Sequence, residues 1–171
     1  MKKIYFTEFD SGKWKIYLAA SDKGVVKISY GASSKFDFFA WLEDKFPGYM
    51  FEKNDSRTSA YASNIKKYIN GKIKKLDIPI DLQANGFTKK VLTKLKKVPY
   101  GKTVTYGELA AMAGNPRASR AAGTACSKNP IPLVIPCHRV IAAGGRIGKY
   151  GGGERLKRKL LENEGVLGLK D

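Results

Sequence analysis

The chain has 171 residues, 43% of them apolar, which is enough for one domain or two small ones with a real core. It has no apolar run long enough to cross a membrane, and two cysteines with a single histidine are too few for a disulfide framework or a structural zinc site. The net charge of +17 divides into +6 over residues 1–80 and +11 over residues 81–171, which favours a polyanionic partner, nucleic acid before membrane; the alternative is a generically basic surface.

Residues 1–80 predict a small α+β domain that begins with strands. Segments 14–18 and 25–30 read as neighbouring strands of an antiparallel meander joined by a turn. A helix is predicted over 36–46 and a second over 61–70, and the aromatic residues of both, including Tyr68, are expected to lie in the core. The face of the first helix that we expect to turn inward carries Phe36, Phe39, Ala40 and Phe46. Residues 76–85 are extended and are expected to form a last strand, and no chemistry is evident before residue 80.

The second half is predicted to be mainly helical. An apolar stripe begins at Phe87, and the next helix opens with a capping box in which Thr105 is the cap and Glu108 the third helical residue. A further helix is predicted over 117–126, with Asn115 as its cap. Together they indicate a helix-turn-helix. The second of these helices is rich in small residues, which allows close approach either to the first helix or to DNA. A last helix is predicted over 154–163, with leucines on its inward side and the basic residues Lys157, Arg158 and Lys159 between them.

The chemistry is expected at Cys137 and His138, which are adjacent in sequence. A thiol is nucleophilic only as the thiolate, and a neighbouring imidazole can remove its proton. We therefore expect a Cys137 pKa below the ~8.5 of a free thiol. Residues 133–135 are expected to form a buried strand that presents Cys137 at its end. The alternative is a small buried cysteine with no chemical role.

The sequence Pro136-Cys137-His138-Arg139-Val140, preceded by Asn129-Pro130-Ile131-Pro132, closely resembles the active-site signature of the O6-alkylguanine-DNA alkyltransferases. The resemblance runs from about residue 87 to residue 165. It implies a direct-reversal DNA repair protein, a methylated-DNA–protein-cysteine S-methyltransferase that flips O6-alkylguanine out of duplex DNA. The alkyl group would pass irreversibly and stoichiometrically to Cys137, with no cofactor and no metal. Activity on O4-alkylthymine is left open.

The resemblance also implies roles for individual residues. The catalytic set is Cys137, His138, Glu164, Asn129 and Tyr106. In it, a Cys–water–His–Glu relay activates the sulfur, Asn129 braces the turn, and Tyr106 turns the phosphate and meets the base edge. The DNA-binding set, with Arg120 as the residue that fills the gap left by the flipped base, is Arg120, Thr88, Thr105, Gly107, Asn115, Arg117, Ala118, Ser119, Gly123, Ser127, Lys128 and Ala143. The substrate-binding set is Tyr106, Cys126, Val140, Ile147, Gly148, Tyr150 and Gly151.

Two departures from the family pattern affect DNA and base recognition. Ser127-Lys128 stands where relatives can have Arg-Gly, and Gly151 stands where some have a serine that bonds the guanine oxygen. Three other functions remain open: a protein that binds lesions without transfer, a transcription regulator, and a Cys-His hydrolase.

The sequence thus predicts an α+β protein of two small domains. Residues 1–80 would form an antiparallel sheet with helices, residues 81–86 a connection, and residues 87–171 a mainly helical domain with the helix-turn-helix and active-site loop. We expect a monomer that binds double-stranded DNA and not membrane, in the cytoplasm with the nucleoid.

Overall fold

The computed structural model describes residues 1–30 and 35–171. In its first half, the elements are β1 (Lys3–Ser11), β2 (Trp14–Ser21), β3 (Gly24–Tyr30), α1 (Lys35–Lys45), β4 (Met50–Lys53) and α2 (Asp55–Ile69). In its second half, they are α3 (Gly86–Leu95), β5 (Val104–Thr105), α4 (Tyr106–Met112), α5 (Ser119–Ser127), a 3₁₀ turn (Cys137–Arg139), β6 (Val140–Ile141), a second 3₁₀ turn (Ala143–Gly145) and α6 (Glu154–Asn163). This confirms the predicted α+β class and its division into a sheet-rich and a helical half. No helix within these described ranges is long and apolar enough to cross a membrane.

The N-terminal sheet has the strand order β3-β2-β1-β4. The first three strands form the expected antiparallel meander, whereas β4 lies parallel to β1 at the edge. The sequence analysis did not predict β4, because its four half-exposed residues show no alternation of apolar and polar side chains.

Helix α1 packs on one face of this sheet, but with a different side inward from the one predicted. Phe38 and Leu42 are fully buried, whereas Phe36 is 80% exposed and Ala40 is also exposed. Three phenylalanines within four positions permit two apolar stripes, and packing on the sheet selects between them. The prediction for Phe36 and Ala40 was therefore wrong.

Helix α2 covers the opposite face and begins six residues before the predicted start. Asn54 caps it, since its side chain accepts a hydrogen bond from the amide of Arg57. The inward side of α2 carries Ile65, Tyr68 and Ile69, which join a core shared with the second half of the chain.

The predicted strand over 76–85 is instead an extended connection with a single backbone bridge between Val25 and Ile80. The amide of Val25 donates to the carbonyl of Pro79 at 2.9 Å, and a Cβ at Gly24 would collide with that carbonyl. Pro79 has no amide hydrogen for a second strand ladder, which limits the pairing. The connection is thereby held against β3.

The helix-turn-helix is formed by α4 and α5. The capping box of Thr105 and Glu108 is present at the start of α4, as predicted. Helix α5 starts at Ser119 rather than at residue 117, because the side chain of Asn115 accepts from the amide of Arg117 and forms a turn. The predicted role of Asn115 as the helix cap was therefore wrong.

Residues 133–135 form a buried turn rather than the predicted strand. The amide of Ile135 donates to the carbonyl of Ile131 at 2.9 Å, and Leu133 has a positive φ of 73°. Prolines at 130 and 132 lack the amide hydrogens that a strand ladder needs. The turn delivers the chain into the 3₁₀ turn that begins at Cys137.

Candidate active site

Cys137 is held by a braced turn. Its own amide donates to the carbonyl of Ile135 at 2.8 Å. The Asn129 side chain donates to the same carbonyl at 2.9 Å and accepts from the amide of Ile131 at 3.0 Å. Asn129 therefore bridges both ends of the turn and fixes where the sulfur lies. The Cys137 side chain is partly exposed, as a nucleophile must be.

His138 is fully buried next to Glu164. Its Nε2 lies 2.8 Å from Oε1 of Glu164, and because a carboxylate only accepts, Nε2 carries the proton. Burial lowers the pKa of His138, although Glu164 acts to raise it, so the ring is neutral at rest. Within the described residues, Nδ1 is buried without a hydrogen-bond partner, which leaves its lone pair available as a base.

Glu164 lies just beyond the end of α6 at the centre of a buried ionic network. Arg139 reaches it with Nε at 3.0 Å and Nη2 at 3.0 Å, and the amide of Gly101 donates to it at 2.8 Å. Burial alone would raise the pKa of Glu164, but the hydrogen bonds from His138 and Arg139 prevail and lower it to about 2. The carboxylate is therefore ionised at any pH near neutrality.

Tyr68 joins this network from α2 in the N-terminal half. Its hydroxyl donates to Oε1 of Glu164 at 2.7 Å and accepts from Nη2 of Arg139 at 3.2 Å. Sequence reasoning assigned Tyr68 only to the core, since its helical spacing is that of an ordinary buried residue. Because Tyr68 and Glu164 are 96 residues apart in the chain, the sequence around either residue does not indicate their contact.

A cavity of about 130 Å³ adjoins the sulfur of Cys137. Three members of the predicted substrate-binding set line it, namely Cys126, Tyr150 and Gly151. Lys27, Ser29 and Tyr30 of β3 line it as well, and no sequence pattern pointed to them. The other four members, Tyr106, Val140, Ile147 and Gly148, do not line this cavity. Tyr106 packs against the main core cluster, Val140 and Ile147 are themselves core residues, and Gly148 packs against Ala142.

The electrostatics around the thiol differ from the sequence expectation. Burial raises the pKa of Cys137, while the side chains of Asn129 and Tyr150 and the charge of Lys157 act against that rise. The expected pKa below that of a free thiol was therefore wrong for the resting protein. The thiol is protonated at rest and needs a base to remove its proton.

Lys157 is a fully buried lysine close to both thiols. Its Nζ donates to the carbonyl of Val140 at 2.6 Å and to that of Lys149 at 3.3 Å. Burial lowers its pKa to about 8, and interaction with Cys137 and Cys126 acts in the opposite direction. Sequence reasoning placed Lys157 on the polar side of α6 and so missed it.

The predicted DNA-binding residues lie mostly on the surface. Exposed members are Arg120, Asn115, Arg117, Ser119, Ser127, Lys128 and Ala143; partly exposed members are Thr88, Thr105, Gly107, Ala118 and Gly123. Neither Arg120 nor Arg117 forms an ion pair with any residue that the structure describes, so both are available to phosphate. A Cβ at Gly123 would lie 3.7 Å from the Tyr106 ring, so α4 and α5 pack closely there.

Three of these residues also line a larger groove between the two halves. Thr88, Ser127 and Lys128 meet Lys27 and Lys45 of the N-terminal half around a space of about 690 Å³. The described part of the chain contains no group of three or more histidine, cysteine or acidic residues placed to hold a metal ion.

Comparisons with known proteins cover nearly the whole chain. Residues 4–82 match the family model "6-O-methylguanine DNA methyltransferase, ribonuclease-like domain", and residues 86–166 match "6-O-methylguanine DNA methyltransferase, DNA binding domain". The inducible methylated-DNA–protein-cysteine methyltransferase of Bacillus subtilis is 34% identical, over 94% of this chain and 90% of that protein. The enzyme of that name from Methanosarcina acetivorans is 35% identical, over 95% of this chain and 99% of its own length.

Solved structures agree with this result. The crystal structure of Mycobacterium tuberculosis O6-methylguanine methyltransferase superimposes with a TM-score of 0.78 at 30% identity, covering 94% of this chain and 92% of that one. The crystal structure of Mycobacterium tuberculosis OGT in complex with DNA gives 0.75 at 29% identity, covering 95% and 92%. Sequence, fold and the arrangement around Cys137 all lead to one conclusion: the chain belongs to the O6-methylguanine-DNA methyltransferase family.

Proposed function

We propose that this protein repairs alkylated DNA by direct reversal. It binds double-stranded DNA that contains O6-alkylguanine, flips the damaged nucleotide out, and transfers the alkyl group to its own Cys137. The observation that carries the proposal is the partly exposed Cys137 next to the buried His138–Glu164 pair, in a chain of this family. Transfer is irreversible, and each molecule acts once.

DNA binding is assigned to the helix-turn-helix. The alkyl carbon of O6-alkylguanine cannot be reached inside a duplex, so the nucleotide must leave the stack. The exposed Arg120, in the first turn of α5, is the residue that we assign to the gap. Arg117 and Lys128 supply charge for phosphate contacts, which carry most of the affinity and little of the sequence preference.

The transfer step follows from the protonation states of the site. His138 accepts the Cys137 proton at Nδ1 through a water molecule, and Glu164 stabilises the imidazolium that forms. The sulfur attacks the alkyl carbon, the S–C bond forms and the C–O bond breaks, with its electron pair staying on the guanine oxygen. The guanine takes up the proton. The resulting thioether has no good leaving group, so the sulfur is not regenerated.

The remaining assigned residues hold the base. Tyr106 meets the base edge from the start of α4, and Cys126, Tyr150 and Gly151 surround the alkyl group next to the sulfur. The backbone amide of Gly151 takes the role of the serine found in some relatives. No cofactor or metal takes part, since the sulfur is itself the acceptor.

The proposal also covers the oligomeric state, the cellular location and the domain division. The protein acts as a monomer in the cytoplasm, with the nucleoid, because its target is duplex DNA and its two thiols must stay reduced. Its division into residues 1–80, 81–86 and 87–171 is part of the proposal, and the family-model boundaries at 4–82 and 86–166 support it.

Intact mass measured after mixing with an O6-methylguanine duplex tests this function. We expect one methyl group per molecule, located on the peptide with Cys137, and no further gain with excess substrate. Cys137→Ser should abolish transfer and retain DNA binding, whereas the matched control Cys126→Ser should still accept a methyl group. Binding without a mass change would indicate a lesion-binding protein, and continuous turnover would indicate a hydrolase.

A further inference from the structure

Tyr30, the last residue of β3, belongs to the N-terminal half and contacts the loop before α6 that contains Tyr150 and Gly152. It is only 4% exposed, and its hydroxyl hydrogen-bonds the hydroxyl of Tyr150 across 120 residues of sequence. The two rings lie 5.9 Å apart between centroids, at 38° to each other. Tyr30 also lines the cavity beside the sulfur of Cys137.

Gly152 shows how closely the loop sits on Tyr30. A Cβ at Gly152 would collide with the Tyr30 ring and would lie 2.9 Å from Leu156. Only glycine allows the loop to approach β3 this closely. The ring of Tyr30 thus forms a floor under the loop, and the position of Tyr150 depends on it.

Tyr150 lines the same cavity as Cys137. Its side chain acts to lower the pKa of the Cys137 thiol, and so favours the thiolate. Burial raises the pKa of both Tyr30 and Tyr150 well above its ordinary value, so both phenols remain protonated. Each phenol has one proton to donate. When Tyr30 donates to the oxygen of Tyr150, the proton of Tyr150 is left to point at the sulfur.

We propose that Tyr30 is a positioning residue for alkyl transfer: its hydroxyl orients that of Tyr150 toward Cys137, so that the developing thiolate receives a hydrogen bond. The inference rests on the proposed function, because Tyr30 has this role only if Cys137 is the acceptor of the alkyl group. It also gives the N-terminal half a part in the chemistry, through a chain of hydroxyls separate from the His138–Glu164 pair.

The test compares Tyr30→Phe with wild type in single-turnover methyl transfer, followed by mass across the pH range in which a thiol titrates. Tyr30→Phe keeps the ring under Gly152 and removes only the hydroxyl. We expect the midpoint of the rate–pH curve to rise by about one unit, the tenfold change typical of losing one hydrogen bond to a charged group. The rate at the alkaline plateau and the affinity for DNA should match wild type.

Tyr17→Phe is the matched control, since Tyr17 packs against Phe38 on the α1 side of the sheet, away from the cavity. It should leave the curve unchanged. Tyr150→Phe should shift the midpoint at least as far as Tyr30→Phe, and the double variant should add little, because the two hydroxyls act in series. An unshifted midpoint in Tyr30→Phe, or an equal loss of rate at every pH, would overturn the positioning role. Wild-type protein that gains no methyl would instead overturn the proposed function itself.

Discussion

At the scale of single residues, Glu164 has two roles that its sequence position did not separate. It orients His138, and it neutralises Arg139, which is buried and hydrogen-bonded to the carbonyl of Val98 at 2.7 Å. Removing one partner of a buried ion pair leaves an uncompensated charge, at a cost of about 3–5 kcal/mol. Substitution of Glu164 should therefore affect both stability and chemistry.

We expect Glu164→Gln to slow methyl transfer by roughly 10²–10⁴-fold, the usual effect of lost acid–base assistance, and also to lower the free energy of unfolding. His138→Ala should slow transfer at least as much, and the double variant should be far from additive. Single-turnover rates would be measured at a temperature where all variants are folded. The control is Glu162→Gln, an exposed residue in the last turn of α6. A near-wild-type rate in Glu164→Gln would leave Glu164 a purely structural role.

The low pKa of Glu164 also predicts a pH dependence of stability. The pKa is lowered from 4.5 to about 2, so the folded state binds this proton more weakly than the unfolded state. The stabilisation is therefore complete above about pH 4.5 and is lost as the pH falls toward 2. Urea unfolding of wild type should show a loss of about 3 kcal/mol over this interval that Glu164→Gln lacks. If the unfolding free energies of wild type and Glu164→Gln fell in parallel with decreasing pH, this prediction would be contradicted.

At the scale of secondary-structure elements, local signals explain which predictions succeeded. The capping box of α4 and the bounds of α6 depend on neighbouring residues and were predicted correctly. The turn at 133–135 was predicted as a strand because its apolar run looks like a buried strand, and only its surroundings decide between the two. The prediction of the inward face of α1 was wrong for the same reason, since only packing on the sheet decides which of its two apolar stripes is buried.

Helix α5 provides a prediction at this scale. Arg120→Ala should reduce repair of O6-methylguanine in duplex DNA far more than reaction with free O6-benzylguanine, because a free base needs no flipping. The control is Arg155→Ala, an exposed arginine on α6. Reaction rates with both substrates would be compared at one salt concentration, since phosphate contacts are salt-dependent. Equal losses on both substrates would show that Arg120 does not fill the gap in the duplex.

At the scale of the whole molecule, the two halves share one core and one active site. Residues Ile65 and Tyr68 of α2 pack in the same cluster as Leu92 of α3 and Ile135, and the amide of Ile28 donates to the carbonyl of Pro130 at 2.8 Å. The sequence analysis found no chemistry before residue 80, although two tyrosines of that half reach the site. The residues that these tyrosines contact lie far away in the sequence. The spacing of apolar residues around a buried tyrosine is also the same whether or not its hydroxyl has a role.

Tyr68→Phe tests this dependence between the halves. The hydroxyl donates to Glu164 and accepts from Arg139, so its loss weakens the network from the N-terminal side. Because the bond to Glu164 involves a charged group, we expect a loss of about 1.5–3 kcal/mol in unfolding free energy, together with slower transfer. Tyr61→Phe, on the same helix but half-exposed, is the control and should remain near wild type.

A double-mutant cycle between Tyr68→Phe and Glu164→Gln then shows whether the two residues act together. If Tyr68 works by holding the carboxylate, the two losses should overlap, and their coupling should fall within about 0.5–3 kcal/mol, as for residues in direct contact. Chemical unfolding and single-turnover rates would each be measured for all four proteins. Coupling in both measurements would mean that the N-terminal half stabilises the carboxylate of Glu164. Additive losses would confine Tyr68 to packing in the shared core and leave Glu164 to depend on His138, Arg139 and Gly101 alone.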